Sequence, residues 1–137
     1  MRRQHAFLVI CFIYSLVSCK DVVLPTPESE NIIGEWEWVE SVGGLSGLDR
    51  RTPESVRETY QLIFRDNGKY RYCIDNEKSD KGTYSIEEKV DSSSSYLEVS
   101  LHGDKSSTSI LSFQTNDSMS LFPVSCTVCY NSVYVRK

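Results

Sequence analysis

From Ile33 onward, apolar and polar residues alternate with a period of two. Trp36, Trp38 and Val42 are set against Glu35, Glu37 and Ser41. Tyr60, Leu62 and Phe64 are set against Thr59, Gln61 and Arg65, with Ile63 breaking the rule. Tyr70, Tyr72 and Ile74 alternate with Lys69, Arg71 and Asp75, and Tyr84 and Ile86 with Thr83, Ser85 and Glu87. Leu97, Val99 and Leu101 alternate with Glu98 and Ser100. Successive strand side chains point to opposite faces, so each run predicts a strand with one buried face. Residues 108–114, 119–122 and 130–136 alternate less cleanly and complete a set of eight strands at roughly ten-residue spacing. Three turns of helical periodicity occur nowhere in this stretch; residues 53–57 predict a single helical turn. Asp66-Asn67-Gly68 reads as a tight turn, because Asn and Gly accept positive φ. Polar breaks at 76–80, 91–95, 102–105 and 115–118 separate most of the other strands. Short breaks favour a meander, and eight meandering strands can close without leaving a free edge. The expected fold class is all-β, an eight-stranded antiparallel up-and-down barrel. A two-sheet sandwich is the structural rival.

The first 32 residues have another character. Arg2 and Arg3 precede an apolar run over residues 6–17 in which only Ser15 is clearly polar. That length suits the apolar part of an export signal and falls short of the roughly 20 residues a membrane-spanning helix needs. The run ends in Leu16-Val17-Ser18-Cys19, which resembles the lipobox of bacterial lipoproteins. In that family the signal is cut before the cysteine, which is then acylated. The resemblance implies a cleaved signal over 1–18, a lipid anchor on Cys19, the membrane as a partner and the cell envelope as the destination. Lys20 rather than Asp follows the cysteine, which by the same resemblance leans towards the outer membrane. Residues 20–31 carry Pro25, Pro27 and three acidic side chains and read as a tether. Fully extended, Cys19 to Ile33 spans at most about 45 Å. The expected division is thus 1–18 signal, 19–32 lipidated cysteine and tether, 33–137 barrel domain.

Composition narrows the classes further. With 39% hydrophobic and 25% charged residues, 7 Gly and 4 Pro, the chain is neither collagen-like nor wholly disordered. A formal net charge of -4 with no basic stripe speaks against nucleic acid as a partner.

Gly34-Glu35-Trp36 opens the first strand and Arg136 ends the last. This pair resembles the Gly-x-Trp and terminal Arg of lipocalins and related calycin barrels. There the Trp seals the closed end and the Arg packs on its face. The fuller order of motifs is Gly34-Glu35-Trp36-Glu37-Trp38, Thr52-Pro53-Glu54-Ser55, Asp66-Asn67-Gly68 and Gly82-Thr83-Tyr84. It is similar to that of lipocalin-like lipoproteins of Bacteroidetes. The likeness covers about 105 residues. It implies a lipocalin-like barrel closed by Gly34, Trp36 and Arg136. One departure is Cys126-Thr127-Val128-Cys129 before the last strand, where no clear Asp-Gly turn stands. In a meander the loop over residues 43–55 lies at the end opposite Trp36, either as a ligand lid bringing Leu45, Leu48, Arg50 and Arg51 or as a Gly-rich loop without a partner.

Two functions fit the inward residues. Trp38, Tyr60, Leu62, Tyr72, Tyr84, Leu97 and Val99 would line a site for a small hydrophobic or amphipathic molecule, with phenol hydroxyls orienting the guest. Alternatively the same aromatics fill the barrel, which then serves as a surface or periplasmic module for a protein partner. A third reading is a small β-fold resembling META-domain lipoproteins, suggested by residues 62–84. Cys73, Cys126 and Cys129 remain as disulfide candidates: Cys126 with Cys129, Cys73 with either, or no bond. A redox Cys-x-x-Cys normally opens a helix in a βαβ unit, and none is visible. Those cysteines with His102 could just supply four zinc ligands, but alternation gives His102 no obvious partner. His102 sits in a polar His-Gly-Asp-Lys turn without a triad, and the pairs Glu35/Glu37 and Glu87/Glu88 fall on outer faces. The sequence therefore leads to a non-enzyme, with no catalytic residue, metal or cofactor expected.

Overall fold

The structure, a computed structural model, describes residues 30–137. The signal segment, Cys19 and tether residues 20–29 lie outside the described residues. Nine strands and one helical turn follow one another: β1 Gly34–Gly43, β2 Asp49–Arg51, α1 Pro53–Val56, β3 Tyr60–Phe64, β4 Lys69–Ile74, β5 Glu77–Val90, β6 Ser95–His102, β7 Ser107–Thr115, β8 Ser118–Pro123 and β9 Tyr130–Arg136. Each strand from β3 to β9 pairs antiparallel with its predecessor in the meander, and β9 returns to pair with β1 from Trp36↔Arg136 to Gly43↔Tyr130. The result is a closed eight-stranded antiparallel barrel, consistent with a calycin-like barrel. The short β2 is an addition, folded back on the last three residues of β1 as a ribbon at the mouth.

Turn chemistry explains most of the corners. Asp66-Asn67-Gly68 closes β3–β4, with Gly68 at φ 73° and its N–H bonded to the Arg65 carbonyl. The β4–β5 hairpin needs only Asp75 and Asn76, both with positive φ, as a two-residue turn of the mirror-image type demands. The break expected over 76–80 is therefore shorter, and residues 77–80 continue β5 to 14 residues. Thr52 caps α1 by accepting from the Ser55 N–H, and Ser55 reciprocates at the Thr52 N–H.

One face of each strand makes the core. Trp36, Phe64, Ile32, Met119 and Val99 are its largest fully buried side chains. Val42 was expected inside and is not. The β1–β9 register shifts between Trp38 and Glu40, so Val39 is an extra residue. Such a bulge advances the alternation by one. Trp38 stays inside, Ser41 turns inward in place of Glu40, and Val42 turns out. Ser41 is satisfied there: its Oγ accepts from Trp38 Nε1 at 2.8 Å and bonds Ser132 Oγ at 2.8 Å.

The base is closed by a stack. Arg136 holds its guanidinium 4.3 Å from the Trp36 ring centre. It donates to the carbonyls of Asn31, Ile33 and Asn116, and reaches Asp117. Trp36 Nε1 donates to the Ile32 carbonyl at 2.7 Å. Asn31 and Ile32, counted with the tether in the sequence, are thus part of the folded base, and Ile32 is fully buried.

Candidate functional site

Trp36, Ile32, Phe64 and Met119 are fully buried towards the base, and the barrel opens at the other end. A cavity of about 510 Å³ opens at the mouth. Leu62, Ile74, Leu101 and Leu121 give it apolar walls, Tyr70, Tyr72 and Tyr134 aromatic ones, and Ser79, Ser107, Ser109 and Ser132 hydroxyls. Asp80, Asp104 and Lys105 are the charged residues at its rim. Tyr72 and Tyr134 point inward because β3 and β4 alternate in phase across the pair Leu62↔Tyr72, and β1 and β9 across Trp38↔Tyr134.

Two of the three cavity phenols are unengaged. Tyr70 donates to Asp80 Oδ2 at 2.7 Å. Tyr72 and Tyr134 hydroxyls have no hydrogen-bond partner among the described residues, although Tyr134 is only 8% exposed. Every fully enclosed side-chain N or O atom of the described residues has a partner. These two hydroxyls therefore face the open space of the cup. Burial, with Tyr60 and Glu58 nearby, pushes the Tyr72 phenol up to about 12. Burial raises Tyr134 as well, so both stay protonated and able to donate at neutral pH.

The rim is braced from one carboxylate. Asp80 accepts from Tyr70 and from the backbone N–H groups of Lys81 (2.7 Å) and Asp104 (3.1 Å). The Tyr70 bond, more than the backbone bonds, holds this carboxyl below the usual carboxylate range against the opposing effect of desolvation. A lowered folded-state pKa contributes stability that is present above the ordinary value near 4 and is lost as pH falls through the folded value. The melting temperature should therefore fall between about pH 5 and pH 3, and by less in Asp80→Asn. Equal losses in the two proteins, followed by thermal melts, would remove Asp80 from that account.

The lining residues expected from the sequence are divided among four places. Leu62 and Tyr72 line the cup. Tyr60 fills the space between Trp38 (4.9 Å between ring centres) and Tyr72 (6.0 Å), and its hydroxyl bonds Glu58. Tyr84 lies lower, edge-on to Phe64 at 5.0 Å with its hydroxyl on the Arg65 carbonyl. Leu97 and Val99 belong to the buried core. Tyr134, Leu121 and Asp80 were not selected. The alternation of β8 and β9 is blurred by serines, and Asp80 lay in a segment read as a loop.

The mouth loops are held by other bonds. Cys126 and Cys129 form a disulfide with Cα atoms 5.5 Å apart, and Cys73 is free and buried. Tyr130 donates to Asp49 at 2.6 Å and accepts from Arg51 at 2.7 Å, which fastens β2 to the start of β9. No residue of 43–55 lines the cup, and Leu45 and Leu48 stand 92% and 83% exposed at the ribbon tip. His102 is exposed. Among the described residues, no three His, Cys, Asp or Glu side chains are grouped to hold a metal ion.

Compared with protein-family models, with curated proteins and with solved structures, the chain gives no match.

Proposed function

We propose that this chain is a lipid-anchored lipoprotein of a bacterial cell envelope whose lipocalin-like barrel binds a small hydrophobic or amphipathic molecule at its mouth. The observation that carries the binding part is the cup itself. Its volume of about 510 Å³ lies within the 300–1,000 Å³ usual for small-molecule pockets, and its wall is apolar with a few convergent hydroxyls. Burial of apolar surface supplies the affinity at roughly 25 cal/mol per Å². Binding, not catalysis, is the activity proposed. A filled barrel serving only a protein partner fits this hollow less well.

The anchor rests on Arg2, Arg3, the apolar run and Leu16-Val17-Ser18-Cys19. Residues 30–33 join the barrel beside Trp36. A lipid on Cys19 would therefore hold the base towards the membrane and leave the mouth facing away. The Lys20 position favours the outer membrane, and the motif order favours the Bacteroidetes type.

Both parts are open to test. Expressed in a Bacteroidetes host, the natural chain should fractionate with membranes and Cys19→Ala should appear in the soluble envelope fraction. Equal membrane retention of the two would refute the anchor. Native mass spectrometry of the Cys19→Ala protein from that host should reveal a co-purifying small molecule. Apo protein in every preparation, with no uptake from a total lipid extract, would refute the ligand cup.

A further inference from the structure

Resting on the reading of the mouth as a ligand cup, we propose that it selects an uncharged guest bearing a hydroxyl or carbonyl oxygen and turns carboxylates away. Hydroxyls dominate the polar lining of the cup, against a single cation. Tyr72 and Tyr134 present protonated phenols to the cup with no partner of their own, and Ser107, Ser109 and Ser132 lie around it. A phenol donates one hydrogen and accepts others, so a carbonyl or hydroxyl oxygen satisfies it without bringing in charge. A buried donor left without a partner is costly, which makes an oxygen-bearing guest better than a pure hydrocarbon of the same shape.

Charge at the rim points the same way. Asp80 is kept ionised by its three donors, and Asp104 adds a second carboxylate. Glu58 is close enough to act on Tyr72. Lys105 is the one cation among the cup's lining residues, next to Asp104 in the chain and outnumbered by the two aspartates. Arg51, whose charge acts on Tyr60, is already turned to Asp49 and Tyr130. A carboxylate entering the cup would lose water and meet two like charges against the single cation Lys105. An uncharged guest meets neither penalty. A cationic guest would be drawn to the rim, yet its charge would have to stay there, away from the two phenols.

Three probes with one skeleton separate these cases: 1-pyrenebutanol, 1-pyrenebutyrate and 1-pyrenebutylamine, titrated by fluorescence against the full chain carrying Cys19→Ala at pH 7.5. The alcohol should bind at least about tenfold more tightly than the butyrate, a difference of about 1.4 kcal/mol. Asp104→Asn, an exposed substitution, should narrow that gap. Tyr72→Phe and Tyr134→Phe should weaken the alcohol several-fold and leave the butyrate unchanged. Butyrate binding as tightly as the alcohol, or the amine binding more tightly than both, overturns the selectivity and leaves the ligand cup standing. Should the Phe variants fail to fold, an unchanged alcohol-to-butyrate ratio in Asp104→Asn overturns it on its own. Absence of binding by all three probes takes down the ligand cup and this inference together.

Discussion

Trp36→Ala should lower the unfolding free energy by about 3–5 kcal/mol, the range for truncating a large buried aromatic. The side chain is fully buried, so the loss includes a cavity that the closed base cannot collapse to fill. It also strips the Ile32 carbonyl of its indole donor and removes the surface beneath the Arg136 guanidinium. That stacking is worth about 0.5–2 kcal/mol. Gly34 belongs to the same unit. It holds φ at 145°, and a Cβ there would stand 2.4 Å from Arg136 Nη1. The glycine two residues before the tryptophan is thus the gap through which the arginine reaches the ring. Gly34→Ala should displace the guanidinium and cost about 1–3 kcal/mol. Coupling should appear in a double-mutant cycle, because Arg136→Met already removes what Gly34→Ala disturbs. Urea denaturation checks all three. A loss below about 1 kcal/mol for Trp36→Ala would mean that the base is not held by this stack.

The same cluster shows what a sequence makes legible. The eight barrel strands followed from period-two alternation, since a half-buried strand must display it whatever its partners, and the meander followed from the short breaks between them; the three-residue β2 is too short to show a period. What escaped depends on single-residue shifts. The bulge at Val39 is invisible to a period count, because Glu40 and Ser41 are both polar and either parity reads as a strand. It decides that Ser41, not Val42, shares the interior with Trp38 and Ser132. Residues 77–80 are polar on both faces, so composition alone made them a loop. The positive φ of Asp75 and Asn76 confines the turn to two residues and delivers Asp80 to the rim. For the site, Tyr72 and Leu62 were recognisable as inward, but inward does not mean facing space. Tyr60 and Tyr84 point in as well and are consumed by packing against Trp38 and Phe64. Which inward residues face a void depends on how the whole interior is filled, a sum over eight strands that no local pattern encodes. Tyr134 was missed for a related reason: flanked by Val133 and Val135, it gives no polar-apolar contrast.

A second large effect is expected at Gly82, far from the base. Strand β5 serves two neighbours in turn. Its upper part pairs with β4 from Glu77 to Thr83, and its lower part with β6 from Thr83 to Val90. Thr83 is the residue where one partnership passes to the other, opposite both Lys69 and His102. At this corner β5 and the end of β6 crowd together. A Cβ on Gly82 would lie 1.9 Å from the His102 carbonyl oxygen and 2.8 Å from Gly103 Cα. These are backbone atoms and cannot swing aside as a side chain would. Glycine within a strand commonly marks such a close approach of two backbones. Gly82→Ala must therefore push His102 and Gly103 outward. The next residue, Asp104, would lose its N–H bond to Asp80, and with it one brace of the mouth. We expect destabilisation at or above the roughly 3 kcal/mol upper end usual for overpacking. The neighbouring exposed substitution Thr83→Ala should change stability by no more than about 0.5 kcal/mol. Probe affinity separates a local from a global effect. If Gly82→Ala folds at low temperature, it should bind 1-pyrenebutanol more weakly than Thr83→Ala does, because the rim has moved. A Gly82→Ala protein as stable as the parent, with unaltered probe binding, would show that β6 can yield at this corner without cost, and that the rim does not depend on the register between β5 and β6.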